Sequence, residues 1–171
     1  ILVPVDFSVP SSWGFYYAYD LAASIGAELV VLHMYMPYTE PVYSVTKLQA
    51  MAADRYDDIL AHLKSATQRP VGSNESDVKV SYVIDYHEKS DIAEYVNEEK
   101  NGIDLVVMGT HGAGNAIGKI WGSNTSNVIS NANCPVLAVP VGAKFGATQK
   151  IAYATDFDSK DIETIAQLAG V

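Results

Sequence analysis

The chain of 171 residues carries a single cysteine, Cys134. One thiol excludes an internal disulfide framework and fits a reducing, cytoplasmic setting. Its place between a predicted helix and an apolar strand reads as a small buried packing residue. Positive charge is also scarce. Eleven Lys and Arg face 20 Asp and Glu, for a net charge of -9, which argues against nonspecific binding to nucleic acid or to acidic membranes. No apolar run approaches the roughly 18 residues of a membrane span, and no secretory leader is visible. The chain opens on Ile1, at a strand and without methionine, so residues are expected upstream. Hydrophobic residues are not scarce: at 49% they suffice for a full core, and the length suits one domain or slightly more.

Strand and helix patterns alternate along the chain. Residues 1–5, 28–34, 78–84, 103–108 and 135–139 read as strands. The first helix is predicted over Ser11 to Ile25, with Phe15, Ala18, Leu21, Ala22 and Ile25 on one face and Gly26 as its stop. After a loop with Pro37 and Pro41, Val45, Leu48, Ala52, Ile59 and Leu63 mark a long helix that stops near Pro70. Residues 72–77 form a polar turn. Ser90 or Asp91 starts a third helix, carrying Ile92, Tyr95 and Val96 and ended by Asn101-Gly102; residues 124–133 form a fourth. Five β/α units in succession predict a mostly parallel, doubly wound, Rossmann-like sheet with helices on both faces. Ligands bind beyond the carboxyl ends of such strands, where strand order reverses. With the order 3-2-1-4-5, strands one and four flank that crevice, and Asp6 lies beside the loop after Met108.

That loop holds the most informative residues. Met108-Gly109-Thr110-His111-Gly112 leaves the fourth strand, and Gly122-Ser123-Asn124-Thr125 opens the next helix. Glycine lets backbone N–H groups approach an anion without a Cβ in the way. A helix N-terminus adds unpaired donors and the positive end of a dipole, and the Ser123 hydroxyl adds a neutral donor. The pattern predicts a nucleotide or phosphate site.

The last residues repeat the first. Residues 151–157 (Ile-Ala-Tyr-Ala-Thr-Asp-Phe) mirror residues 1–7 (Ile-Leu-Val-Pro-Val-Asp-Phe) at an offset of 150, and Ile162, Ile165, Leu168 and Ala169 continue as an amphipathic helix. The expected organisation is a domain at 1–141, a linker at 142–150, and the first β/α unit of a truncated second copy at 151–171. One strand and one helix cannot bury a core alone, so this remnant docks on the first domain, swaps into a neighbour, or moves freely.

Together, Ile-Leu-Val-Pro-Val-Asp-Phe-Ser at the start and Met-Gly-Thr-His-Gly, Gly-Ser-Asn-Thr and Cys-Pro-Val-Leu-Ala-Val-Pro toward the end resemble the universal stress protein family over residues 1–140, in a tandem-repeat form. The family signature Gly-x2-Gly-x9-Gly-[Ser/Thr] is met by Gly109, Gly112, Gly122 and Ser123. The resemblance implies an adenine nucleotide alpha hydrolase-like fold and the ATP-binding branch of the family. On that resemblance Pro4 and Asp6 line the adenosine side, and Met34 packs near adenine. Met108, Gly109, His111 and Gly112 follow the nucleotide, while Gly122, Ser123, Asn124 and Thr125 hold phosphates or ribose. The implied cofactor is ATP, with AMP or ADP as alternatives, accompanied by Mg²⁺ or Mn²⁺ coordinated mainly by phosphates and water. The resemblance further implies pairing of the fifth strand, residues 136–139, in a homodimer or with the second repeat inside one chain. Trp121 departs from the family, which has a smaller aliphatic residue there, and Gly114 and Gly118 loosen the spacer.

Each of these residues also has a plainer reading. Asp6 either meets ligand or caps the first helix, with Ser8 or Ser11 sharing that job. Trp13 and the tyrosines of the first helix pack on the sheet or on a partner. Asp54, Asp57 and Asp58 form a solvated helix face. His33, His62, His87 and His111 show no metal-ligand spacing, so no metal site is expected from the protein itself. A P-loop reading of residues 114–120 fails, because its first glycine is one residue late and Ile120 stands where Ser or Thr would bind Mg²⁺; Lys119 can still lie near phosphate. No general base, water-activating metal ligands or base-poised nucleophile is evident, so no catalytic residue is named. The expected function is a nucleotide-binding regulatory module in stress response, with slow hydrolysis or none. The alternatives are an interaction module that binds no nucleotide and, below it, an ATP-using enzyme of related fold.

Overall fold

The computed structural model describes residues 1–35, 45–68, 78–85, 91–111, 122–146, 150–155, 157–158, 161–162 and 165–166, apart from the side chains of residues 45, 47–49 and 51–54. Gly112, the spacer residues Gly114, Gly118, Lys119 and Trp121, and His87 lie outside these, as do the expected loop at Pro37 and Pro41, the stop at Pro70 and the turn at 72–77.

Five parallel strands form one sheet, as the alternation of elements predicts, in the expected order β3-β2-β1-β4-β5. The strands are β1 (Leu2–Pro4), β2 (Leu29–Met34), β3 (Val80–Asp85), β4 (Val106–Thr110) and β5 (Val136–Pro140). The helices are α1 (Val9–Ile25), α2 (Val45–Ala66), α3 (Ile92–Asn97) and α4 (Ser123–Asn131), and a 3₁₀ turn follows α3 at Glu99–Asn101. None of the described helices is long and apolar enough to cross a membrane.

The central strands are buried on both faces, which is why they read as continuous apolar runs. Val3, Val31 and Val107 pack with Phe15, Ala18 and Ala22 of α1 and Leu63 of α2 on one side. Leu2, Leu32, Val106 and Met108 pack with Val96 of α3 and Val128 of α4 on the other.

The local signals that end the elements act as expected. Ser8 caps α1, its hydroxyl accepting the Ser11 N–H at 3.3 Å. Gly26 closes the helix in the left-handed region at φ 69°, and the Ala27 N–H returns to the Ala22 carbonyl at 3.0 Å. Asp91 caps α3 by accepting the Ala93 N–H at 2.8 Å.

The buried face of α1 differs from the predicted one. Ile25 is 62% exposed, whereas Pro10, Ser11 and Gly14 are buried. Ala22, in the last turn of this 17-residue helix, still packs in the core, so only its final residues, Ser24 and Ile25, lie outside the buried face, while the first turn packs down through Pro10, Ser11 and Gly14. The fourth strand also differs: it begins three residues later than expected and runs on to Thr110, because its pairing with β5 extends to Thr110 opposite Pro140. Gly109 is therefore a strand residue and not a loop residue.

Residues 151–155 form no strand, and residues 161, 162, 165 and 166 are helical. Ile151, Phe157, Ile162 and Ile165 are exposed.

Candidate functional site

Strand order reverses between β1 and β4, and a cleft of about 230 Å³ opens there at the carboxyl ends of the strands. Pro4, Val5 and Asp6 come from β1 and its exit, Leu32, His33 and Met34 from β2, and Met108 to His111 from β4 and its exit. Gly122 to Thr125 enter from the start of α4, Ser8, Pro10 and Ser11 from the start of α1, and Ile92 from the first residue of α3. Of the residues singled out in the sequence, Pro4, Asp6, Met34, Met108, Gly109, His111, Gly122, Ser123, Asn124 and Thr125 all line this one cleft. They come from four elements spread over about 120 residues of chain, and only the parallel fold brings them together. Gly112 lies outside the described residues.

Asp6 lines the cleft but does not cap the first helix. The cap of α1 is Ser8. Asp6 works one step earlier, its carboxylate accepting the Ser8 N–H at 3.0 Å. Burial by the cleft walls alone would raise its pKa. Hydrogen bonds from the Ser8 hydroxyl and backbone N–H and from Ser11 outweigh that and hold the carboxyl below its ordinary value. A depressed pKa in the folded state gives stability that is fully present above the unfolded-state value and is lost as pH falls through the folded-state value. Asp6→Asn should therefore narrow the stability gap between wild type and variant as pH drops below the ordinary aspartate range. Urea unfolding at neutral pH and in acid reads this, and a gap that stays constant down to low pH contradicts it.

Two of the motif glycines, Gly109 and Gly122, play different roles. An ideal Cβ built on Gly109 would stand 1.7 Å from the Pro10 carbonyl oxygen and 2.9 Å from the Ser11 nitrogen. One on Gly14 would stand 2.6 Å from the Gly109 nitrogen. Two glycines thus let α1 lie directly on β4, which brings Ser8, Pro10 and Ser11 to the cleft. Gly122 has no such duty. Its backbone is extended (φ −63°, ψ 158°), a conformation open to any residue, and a Cβ there would meet nothing within 4 Å among the described residues.

Gly122 is the N-cap of α4 and supplies no side-chain acceptor. Ser123 and Asn124 are exposed, and Thr125 is 5% exposed. The first turn of α4 thus presents backbone donors without a side-chain cap at the edge of the cleft. No Lys or Arg lines the cleft among the described residues, so an anion there would meet neutral donors and the helix dipole. His111 is exposed at the rim.

Sequence reasoning missed several wall residues. It places His33 only at a strand end. The His33 Nδ1–H donates to the Val5 carbonyl at 2.7 Å, and the ring packs 4.5 Å from that of Phe7. Phe7 takes a left-handed backbone at φ 64°, which turns the chain from β1 into α1. Leu32 and Ile92 were legible only as core, because nothing local shows that a strand residue and a helix residue border one crevice. Trp13 packs edge-on against Tyr16 (6.5 Å between ring centroids), and Tyr17 against Phe145 (5.5 Å), so these rings pack within the protein, away from the cleft. Among the described residues, no group of three His, Cys, Asp or Glu side chains could hold a metal ion.

A model of the universal stress protein family matches residues 1–140. This chain belongs to that family. A universal stress protein of Mycolicibacterium smegmatis is 30% identical over 140 residues, covering 81% of this chain and 45% of the relative. The chain thus spans about half the length of the curated relative it matches. The universal stress protein UspA of Lactobacillus plantarum is 28% identical, with a TM-score of 0.56, covering 81% of this chain and 94% of that one. A universal stress protein solved in complex with cAMP has the same fold, at 23% identity, a TM-score of 0.51 and coverage of 81% of this chain and 94% of that one. The five-stranded parallel, doubly wound architecture expected from the sequence is thus the one this universal stress protein adopts.

Proposed function

We propose that this universal stress protein is an ATP-binding regulatory module of stress response, with slow hydrolysis or none. One observation carries the reading: α4 opens uncapped onto the cleft through Gly122, a glycine that neither backbone conformation nor packing among the described residues requires. Space for phosphate explains that glycine. The phosphates lie at Gly122, Ser123, Asn124 and Thr125, where N–H groups and the dipole converge. The adenosine lies toward Pro4, Asp6 and Met34, with Met108, Gly109, His111 and Gly112 along its length. AMP or ADP fits the same donors with fewer charges to satisfy.

The cation follows from the charge of the site. With no basic residue among the described residues of the cleft, and with Asp6 in its wall, several phosphate charges need neutralising from elsewhere. Mg²⁺ or Mn²⁺ carried by the phosphates and water does this.

The same reading gives 1–141 as the nucleotide-binding domain, 142–150 as a linker and 151–171 as the start of a second copy. The left-handed backbone of Phe157 (φ 66°), matching that of Phe7 at the equivalent position of the first copy, supports this. Residues 136–139, on an edge strand, would pair with a second molecule or with that second copy, in the cytoplasm.

Calorimetric titration of ATP with Mg²⁺ tests the function. Saturable binding that weakens when EDTA removes the cation is expected. No binding with or without the cation would leave an interaction module as the function, and rapid phosphate release would make the protein an enzyme.

A further inference from the structure

We propose that Asn127 is a positioning residue, which aims the first turn of α4 at the cleft by tying that helix to the cap of α3. The inference rests on the nucleotide reading and adds a residue that touches neither cleft nor ligand.

α4 is weakly anchored by apolar contact. Only Thr125 and Val128 of its nine residues are buried. Three of the nine are asparagines, poor helix formers that stabilise a helix less than Ala or Leu would. Their contribution lies in what they bind. Asn127 Nδ2 donates to Asp91 Oδ1 at 2.9 Å, the same oxygen that accepts the Ala93 N–H and caps α3. Asn131 Nδ2 donates to Asn127 Oδ1 at 2.7 Å, which holds the Asn127 amide in the orientation that faces Asp91. Asn97, at the other end of α3, donates to the Asn131 carbonyl at 2.8 Å and accepts the Asn133 N–H at 2.9 Å. The two helices are tied at both ends of α3.

This arrangement fixes rotation as well as distance. Asn127 lies four residues beyond Ser123 and so on the same face of α4. Holding it against Asp91 fixes the azimuth at which Ser123, Asn124 and Thr125 present their N–H groups. Hydrogen bonds weaken steeply as donors turn away from an acceptor, so a small rotation of α4 costs affinity for phosphate without unfolding the domain. The residue after Asp91, Ile92, is itself a cleft wall, so the tie joins the two sides of the site.

ATP titration of the wild type, of Asn127→Ala and of the exchange Asp91→Asn/Asn127→Asp tests this. Asn127 is exposed, and Ala is the better helix former, so Asn127→Ala should unfold within a few degrees of wild type. Its ATP affinity should fall about fivefold to tenfold, the usual net worth of one hydrogen bond. The exchange reverses donor and acceptor and keeps net charge, and the asparagine it places before α3 is as good a cap as aspartate. It should return affinity to within about twofold of wild type, as a coupled pair does. Wild-type affinity in Asn127→Ala would overturn the proposal. So would an exchange variant as weak as the alanine variant, since the amide and not the tie would then matter. A wild type that binds no ATP would remove the nucleotide reading itself, and this role with it, before any variant is compared.

Discussion

Gly122→Val is expected to lose at least about a hundredfold in ATP affinity, because two or more charge-assisted hydrogen bonds at about 1.5–3 kcal/mol each depend on the space it fills. The protein itself should tolerate the change. The extended backbone of Gly122 suits a β-branched residue, and a Cβ there meets no described atom within 4 Å. No side-chain cap is lost, because none exists. Valine is a poorer N-cap than glycine, which sets the expected stability cost at about 1 kcal/mol or less. Calorimetry on the variant, with thermal unfolding alongside, separates the two effects. Unchanged affinity would sink the assignment of phosphate to the start of α4. A collapse of stability would show that the glycine serves the fold.

How much of this was legible in the sequence follows from which forces are local. The apolar runs of the central strands and the Gly26 stop depend on neighbouring residues and were readable, and Ser8 and Asp91 were among the candidate caps. By contrast, α3 ends at Asn97 and not at the expected Asn101-Gly102, Gly102 closing the 3₁₀ turn that follows. The alternation of elements made a mostly parallel, doubly wound sheet readable, because parallel crossovers leave few topologies. Distance in sequence hid the rest. Ile25 carried the right periodicity but is exposed, at the very end of a helix whose Ala22 is still buried. The tie between Asp91 and Asn127 spans 36 residues, and within its own segment Asp91 reads only as a helix start and Asn127 as an ordinary polar surface group. Gly109 shows the limit most directly. The motif marked it as a glycine for the ligand, while the packing of α1 gives it a second and more demanding duty that only the three-dimensional contact reveals.

That duty gives the second large effect: Gly109→Ala should destabilise the domain by about 3 kcal/mol or more, at the upper end of what overpacking costs. Gly109 is not among the glycines with positive φ, so the cost is purely steric. The added methyl would stand 1.7 Å from the Pro10 carbonyl oxygen and 2.3 Å from its carbon, both backbone atoms in the first turn of α1. Rotamer change cannot relieve such a contact. The helix must lift from β4 as a body, and its start is held by the Ser8 cap and by the reciprocal close approach of Gly14 to the Gly109 nitrogen. Against a total stability of about 5–15 kcal/mol for a domain, the shift should be plain in urea unfolding. ATP affinity should fall as well, because lifting α1 carries Ser8, Pro10 and Ser11 away from the cleft and removes the hydrogen bonds that hold Asp6. Two glycines of one motif thus separate by phenotype: Gly122→Val loses ligand and keeps its fold, while Gly109→Ala loses fold first. A Gly109→Ala protein with wild-type unfolding and no ATP binding would invert that assignment and make Gly109 a ligand residue alone.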